Sequence, residues 1–307
     1  MIFKALLSKL SGIVKNMNLL KDLKQKIINL SNLLLPFKNY TISYYFSRYG
    51  NNLQQIANGI IFANKNQSNF YISNHNKINS FKIINNEHDH KFSLFKKKYR
   101  FFYFDNSFDL PSDSVQVSEF YNEMEDVFKN SIRENIRFLS KNIPKDNELI
   151  IHIRSGDIFT NFKKDYYQNP LIYYLDIIKK FESVIIVTSE EKNNPVIEHL
   201  SNIGNVKIQS SSLENDFNTI FNAVNLATSG VGTFPIAAAL MSENLKNLYY
   251  TNLYLDEHLN PKMIKNSKIN HYEFLIEEDY KKQYSKNYEL EKLILNSAIN
   301  IQKPKMF

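Results

Sequence analysis

Apolar positions along the chain fall into three regimes. From Met1 to about Leu35 they recur at steps of three and four: Leu6, Leu10, Ile13, Met17, Leu20, Leu23, Ile27, Leu30 and Leu34. That is a helical period, and Pro36 ends it. From Tyr40 the pattern shortens. It predicts strands over Thr41–Phe46, Asn69–Ser73, Phe81–Ile84 and Arg100–Phe104, a turn over Arg48–Asn52, and helices over Leu53–Asn64 and Val117–Leu139. Past Pro144 and the charged turn Lys145–Glu148, apolar strands at Leu149–Ile153, Val184–Thr188, Val206–Ile208, Leu226–Ser229 and Asn247–Tyr250 alternate with helices. Those helices are expected at Pro170–Phe181, Pro195–Ser201, Phe217–Asn225 and Phe234–Met241. Strand–helix alternation implies parallel pairing and a doubly wound α/β sheet. The polar stretch from Asp256 holds one helical run, near Tyr288–Ile301. The chain therefore divides into an amphipathic segment (1–36), an N-terminal α/β domain (37–145), a C-terminal α/β domain (146–255) and a helical tail (256–307).

Composition narrows the chemistry. With 307 residues, 43% of them hydrophobic, each domain is large enough to bury a core. The absence of cysteine excludes disulfides, thiolate metal sites and a cysteine nucleophile. The formal charge of +7 favours anionic partners. In the first segment Lys4, Lys9, Lys15, Lys21, Lys24 and Lys26 face a single acid, Asp22. Two readings stay open for it: a helix lying on an anionic membrane surface, or one packed on the protein's own body or a second subunit. No run reaches the roughly 18 apolar residues of a membrane span, and no signal-peptide pattern follows the start. A cytoplasmic protein, peripheral to the membrane in the first of those readings, is the expectation. Lys96, Lys97, Lys98 and Arg100 form a basic run without a nucleic-acid motif, so nucleic acid is not an expected partner.

Three segments carry candidate chemistry. Ser47-Arg48-Tyr49-Gly50-Asn51-Asn52-Leu53-Gln54-Gln55 joins a strand to a helix, where α/β sheets present ligands; an ordinary capped turn is the alternative. In His152-Ile153-Arg154-Ser155-Gly156-Asp157, His152 and Arg154 share one parity at a strand end, and the guanidinium can grip two phosphate oxygens at once. Pairing of Arg154 with Asp157 is the competing reading. In the third, Ser229-Gly230-Val231-Gly232-Thr233 precedes an apolar helix, so backbone N–H groups and the helix dipole favour an anion, with Thr233 as the candidate cap. Upstream of it, Asp216 can accept two hydrogen bonds from a guanine edge or serve as a helix cap.

Taken in order, G-N-N-L-x-Q, H-I-R-S-G-D, and D-F-x-x-I followed by S-G-V-G-T-F resemble the fucosyltransferase-like superfamily, which includes the α-1,2-, α-1,6- and protein O-fucosyltransferases. The resemblance spans about Tyr44 to Met241. It implies a GT-B fold, two Rossmann-like domains facing a cleft, and transfer of fucose or a related sugar from a GDP-sugar to a glycan or lipid-linked glycan acceptor. It assigns Arg154 to the leaving diphosphate, and His152, Asp216, Gly232 and Thr233 to the nucleotide. Gly50 and Asn51 fall in the loop that closes over the donor. Asp157, Glu190 and Glu191 are the candidate general bases. Ser155-Gly156 stands where many members carry Arg-Arg or Arg-Gly, which removes one family cation. No Asp-x-Asp motif occurs, so neither a metal nor another cofactor is expected. The competing function is a protein that retains a sugar nucleotide or glycan without transferring it.

Overall fold

The computed structural model describes residues 39–42, 45, 48–85, 97–99, 117–142, 145–156, 162, 164–189, 194–286, 289–296 and 301–306. The amphipathic segment 1–36, the strand expected at Arg100–Phe104, Asp157, Glu190 and Glu191 lie outside them. Among the described residues no helix is long and apolar enough to cross a membrane.

The N-terminal sheet contains β1 (Asn39–Ile42), β2 (Asn69–Ile72), β3 (Phe81–Ile83) and β4 (Lys97–Tyr99), in the order β3-β2-β1-β4. β1 runs parallel to β2 and β4, and β3 is antiparallel to β2. The β1–β2 crossover is helix α1 (Tyr49–Lys65), which begins four residues before the predicted start and absorbs the expected turn. Its Leu53, Ile56, Ile60 and Ile61 are all buried. At about 1.5–3 kcal/mol each, they outweigh the roughly 0.5–1 kcal/mol that a helical glycine such as Gly50 costs. The long helix expected at Val117–Leu139 is shorter. α2 (Val117–Val127) passes into a π turn (Phe128–Ile132) and a 3-10 turn (Arg133–Asn135). Met124, Val127, Phe128 and Ile132 stay buried through this change of winding.

The C-terminal sheet has six parallel strands and one antiparallel edge strand. In chain order they are β5 (Glu148–His152), β6 (Ser183–Val187), β7 (Val206–Gln209), β8 (Asn225–Thr228), β9 (Asn247–Thr251), β10 (Asn270–Ile276) and β11 (Ile301–Met306). The spatial order of the parallel strands, β7-β6-β5-β8-β9-β10, is the Rossmann order, reversing between β5 and β8. Helices α3 (Leu171–Ile178) and α4 (Pro195–Ser201) cover one face, and α5 (Leu213–Phe221) and α6 (Thr233–Met241) the other. Alternate residues of β5 serve both faces: Leu149 and Ile151 join the α3–α4 cluster, Ile150 the α5–α6 cluster.

Residues 256–307 are more than a helical tail. They add β10 and β11 to this sheet and contribute α7 (Glu278–Ser285) and α8 (Leu290–Leu295) to the α3–α4 face. The two units also share a core. One apolar cluster runs from Ile42, Leu53 and Phe70 to Phe217, Leu226 and Leu248, with the buried alanines 237–239 of α6 letting α1 approach closely.

Candidate functional site

The strand order reverses between β5 and β8, and the carboxyl ends of strands flanking such a reversal are where open α/β sheets bind ligands. His152 is the last residue of β5 and is 9% exposed; Arg154 follows two residues later and is half-buried. Ser229, directly after β8, joins the two tips. Its Oγ accepts from the Arg154 amide at 3.4 Å and lies 3.4 Å from His152 Nδ1. The Arg154 carbonyl accepts from Asn194 Nδ2 at 2.9 Å, and the same asparagine caps α4 through Val196 N. Next along the chain, Ser155 Oγ contacts Thr188 Oγ1 and Ser189 Oγ at 2.9 and 2.8 Å. The backbone of Arg154 is thus held from the tip of β8 and the cap of α4, and its neighbour Ser155 from the end of β6, while the Arg154 guanidinium lies over the Tyr166 ring, 5.1 Å from the centroid.

Opposite the tip of β5, two helix starts press together. A β-carbon on Gly50 would lie 2.6 Å from the Phe234 amide nitrogen and 2.6 Å from Thr233 Oγ1. Thr233 Oγ1 donates to Asn51 Oδ1 at 2.7 Å. The expectation that Gly50 and Asn51 form a loop over the donor is corrected here: both lie in the first turn of α1, in contact with α6. Thr233 is not the cap of α6 but its first helical residue, and Gly232 is the cap. Neither start has a side-chain cap or an acid in its first turn. The cap position of α1 is occupied by Arg48, a cation at the positive end of a helix dipole.

An aromatic series floors this region. The His152 ring is 5.8 Å from Phe234, which is 5.2 Å from Phe217, which is 5.4 Å from Tyr49. The Tyr49 hydroxyl is buried with no hydrogen-bond partner among the described residues, which costs about 1–3 kcal/mol. Burial, and then the nearby charges of Arg154 and Arg48, push the His152 imidazole down to about 3, so it is neutral at physiological pH.

Asp216 behaves differently. It sits in the first turn of α5, which begins four residues before the predicted start and is capped by Ser212. Its carboxylate accepts from Gln209 Nε2 at 2.8 Å, from Ser211 Oγ at 3.1 Å and from the Ser211 amide. These bonds tie α5 to the end of β7, and none reaches Arg154 or Thr233. A polar groove of about 360 Å³ lies alongside, lined by Ser140, Asn142, Gln209, Ser211, Asn215, Asn218 and Thr219. The structure therefore unites His152, Arg154, Gly232, Thr233, Gly50 and Asn51, and places Asp216 on the flank. Among the described residues no three His, Asp or Glu side chains cluster as a metal site. Comparison with protein-family models, curated proteins and solved structures finds no match.

Proposed function

We propose that the protein is a glycosyltransferase that moves fucose or a related sugar from a GDP-sugar to a glycan acceptor. In this reading the acceptor hydroxyl bonds to the anomeric carbon as the bond from that carbon to the β-phosphate oxygen breaks. The hydroxyl proton passes to a carboxylate among Asp157, Glu190 and Glu191. Charge then accumulates on the departing diphosphate, and Arg154 with the Gly232–Thr233 helix start meets it without a metal. The observation that carries the reading is the position of Arg154: a guanidinium anchored by its backbone at the reversal of a Rossmann-ordered sheet, joined through Ser229 to an uncapped helix start. A GT-B arrangement, with the N-terminal unit facing the donor across a cleft, belongs to the same proposal. The touching starts of α1 and α6 supply the floor of that cleft.

The test is donor turnover, followed as GDP release with and without a glycan acceptor. Wild-type protein should release GDP from a GDP-sugar. Arg154→Ala should lower the rate by about 10²–10³, equivalent to about 2.7–4 kcal/mol of transition-state stabilisation. Binding without release by the wild type would turn the reading to retention without transfer. Unchanged turnover in Arg154→Ala would remove this mechanism.

A further inference from the structure

Residues 164–169 cross the tips of β8 and β9 as a strap without helix or strand. Asn169 Nδ2 donates to the Thr228 carbonyl at 2.8 Å, and its Oδ1 accepts from Thr251 Oγ1 at 2.7 Å. The next three carbonyls back along the chain accept in turn from two different elements. Gln168 accepts from Tyr280 Oη at 2.6 Å, Tyr167 from the Val231 amide at 3.4 Å, and Tyr166 from Tyr284 Oη at 2.9 Å. The ring held in this way is the one over which the Arg154 guanidinium lies. We propose that Tyr166 is a positioning residue for Arg154, and that Tyr280 and Tyr284 of the C-terminal extension act on the site through it. The proposal rests on the reading of Arg154 as a diphosphate ligand and adds the platform that sets its direction.

Arginine is a long side chain with many rotamers, and a two-point grip on phosphate oxygens requires its planar fork to be aimed. A carboxylate beside it would aim the fork and also cancel its charge. An aromatic face attracts the cation through the ring quadrupole and leaves the charge for an incoming anion. The platform is itself fixed. His258 meets the Tyr166 ring edge-on, with centroids 5.9 Å apart, and the two α7 hydroxyls hold the backbone on either side of Tyr167. Tyr280 and Tyr284 stand on one helix face, separated by a rise of about 6 Å. That rise is within the reach of two residues of unwound chain, at most about 7 Å, so the hydroxyls can meet carbonyls two residues apart. Both side chains are buried, and phenylalanine would fill the same space without a hydroxyl to satisfy. What tyrosine adds at these positions is the pair of bonds to the strap. The strap also reaches the backbone of Arg154: Val231, bonded to the Tyr167 carbonyl, lies two residues after Ser229, whose Oγ accepts from the Arg154 amide.

The test uses the full-length protein with isotope-labelled arginine. The side-chain Nε–Hε signal of Arg154, one of five arginines, is identified by nuclear magnetic resonance from its loss in Arg154→Gln. Tyr166→Leu keeps an apolar side chain and removes the ring. It should move that signal out of the ring current and lower the affinity for inorganic pyrophosphate, measured by calorimetry, about three- to tenfold. Tyr166→Phe should leave both close to wild type. Tyr284→Phe should lower the affinity by less, and combined with Tyr166→Leu it should take away nothing further, because it acts through the lost ring. An Arg154 signal that stays in place in Tyr166→Leu overturns the positioning role whatever the ligand does. Equal losses of affinity in the Phe and Leu variants also overturn it, since the ring face would then not be what acts. Additive losses overturn the part given to Tyr284. If the signal moves as expected but wild-type protein binds neither pyrophosphate nor GDP, the diphosphate reading of Arg154 falls and takes the proposal with it.

Discussion

At the start of α1, a methyl group added to Gly50 would collide with the Phe234 amide at 2.6 Å; at the start of α6, one added to Gly232 would meet nothing closer than 3.8 Å. Both glycines open a helix that follows a parallel strand. Both helices lack side-chain caps and first-turn acids. Yet Gly50 is filled against by protein, whereas Gly232, extended at φ −178°, has ordinary room and a backbone that any residue could adopt. Gly50 serves the joint between the sheets. Gly232 makes no such contact with the opposite unit. Residue type and a place at a helix start, which the two share, do not separate them; the neighbouring backbone does.

The contrast can be broken from either side. The largest effect is expected at the α6 side, through the buried imidazole packed on Phe234. His152 is held neutral in the folded protein down to about 3, against 6.5 in an unfolded chain. Below pH 6.5 the unfolded state therefore binds a proton that the folded state refuses, so stability falls as the pH falls. The slope is about 1.4 kcal/mol per pH unit until the folded imidazole itself protonates near pH 3. Urea unfolding at pH 7.5, 6.5, 5.5 and 4.5 should show this fall, and His152→Gln should flatten it by about that slope. The buried His75 and the partly buried His271 are also pushed downward and contribute to both proteins alike, so the difference between wild type and variant isolates His152. Parallel curves for the two would mean that His152 is not kept neutral by its surroundings.

On the α1 side, Gly50→Ala tests the joint. The added methyl must displace one of two helix backbones, and overpacking of this kind costs about 1–3 kcal/mol, of which up to about 1 kcal/mol is returned by removing a helical glycine. A net loss of stability is expected, together with weaker association of the two units, read as earlier proteolysis between residues 137 and 147. A variant as stable as wild type, with unchanged cleavage, would show that the α1–α6 contact yields easily and that Gly50 is not a packing residue.

These outcomes also mark how far the sequence could be read. The parallel C-terminal sheet was legible because strands such as Leu149–Ile151 and Val184–Val187 are buried on both faces and read as unbroken apolar runs. The β5 tip was legible because His152 and Arg154 interrupt such a run. Three things were hidden, for different reasons. The starts of α1 and α5 lie four residues earlier than the apolar period implies, because their first turns are polar and are stabilised by contacts elsewhere in the chain. Thr233 bonds Asn51, and Lys77 pairs with Glu214. β10 was missed because Asn270, His271 and Glu273 dilute its pattern, although Phe274 and Ile276 are buried and its pairing with β9 is regular. The surroundings of Asp216 were hidden as well: its carboxylate accepts from Gln209 and Ser211, near neighbours that periodicity does not bring onto it.

The smallest expected effect on stability is also the most discriminating about function. Gly232→Ala introduces a side chain where the protein offers space, at a backbone angle alanine tolerates. By narrowing the unfolded ensemble it should stabilise the fold by about 0.4–1 kcal/mol, measured by urea unfolding without ligand. If the space above the α6 amides is where phosphate oxygens approach, the same methyl group stands between them and the helix start. Pyrophosphate and GDP affinity should then drop even as stability rises. A ligand that bound elsewhere would leave affinity untouched. A variant that lost both stability and affinity would show that Gly232, like Gly50, is held by its own protein, and the distinction between the two helix starts would be gone.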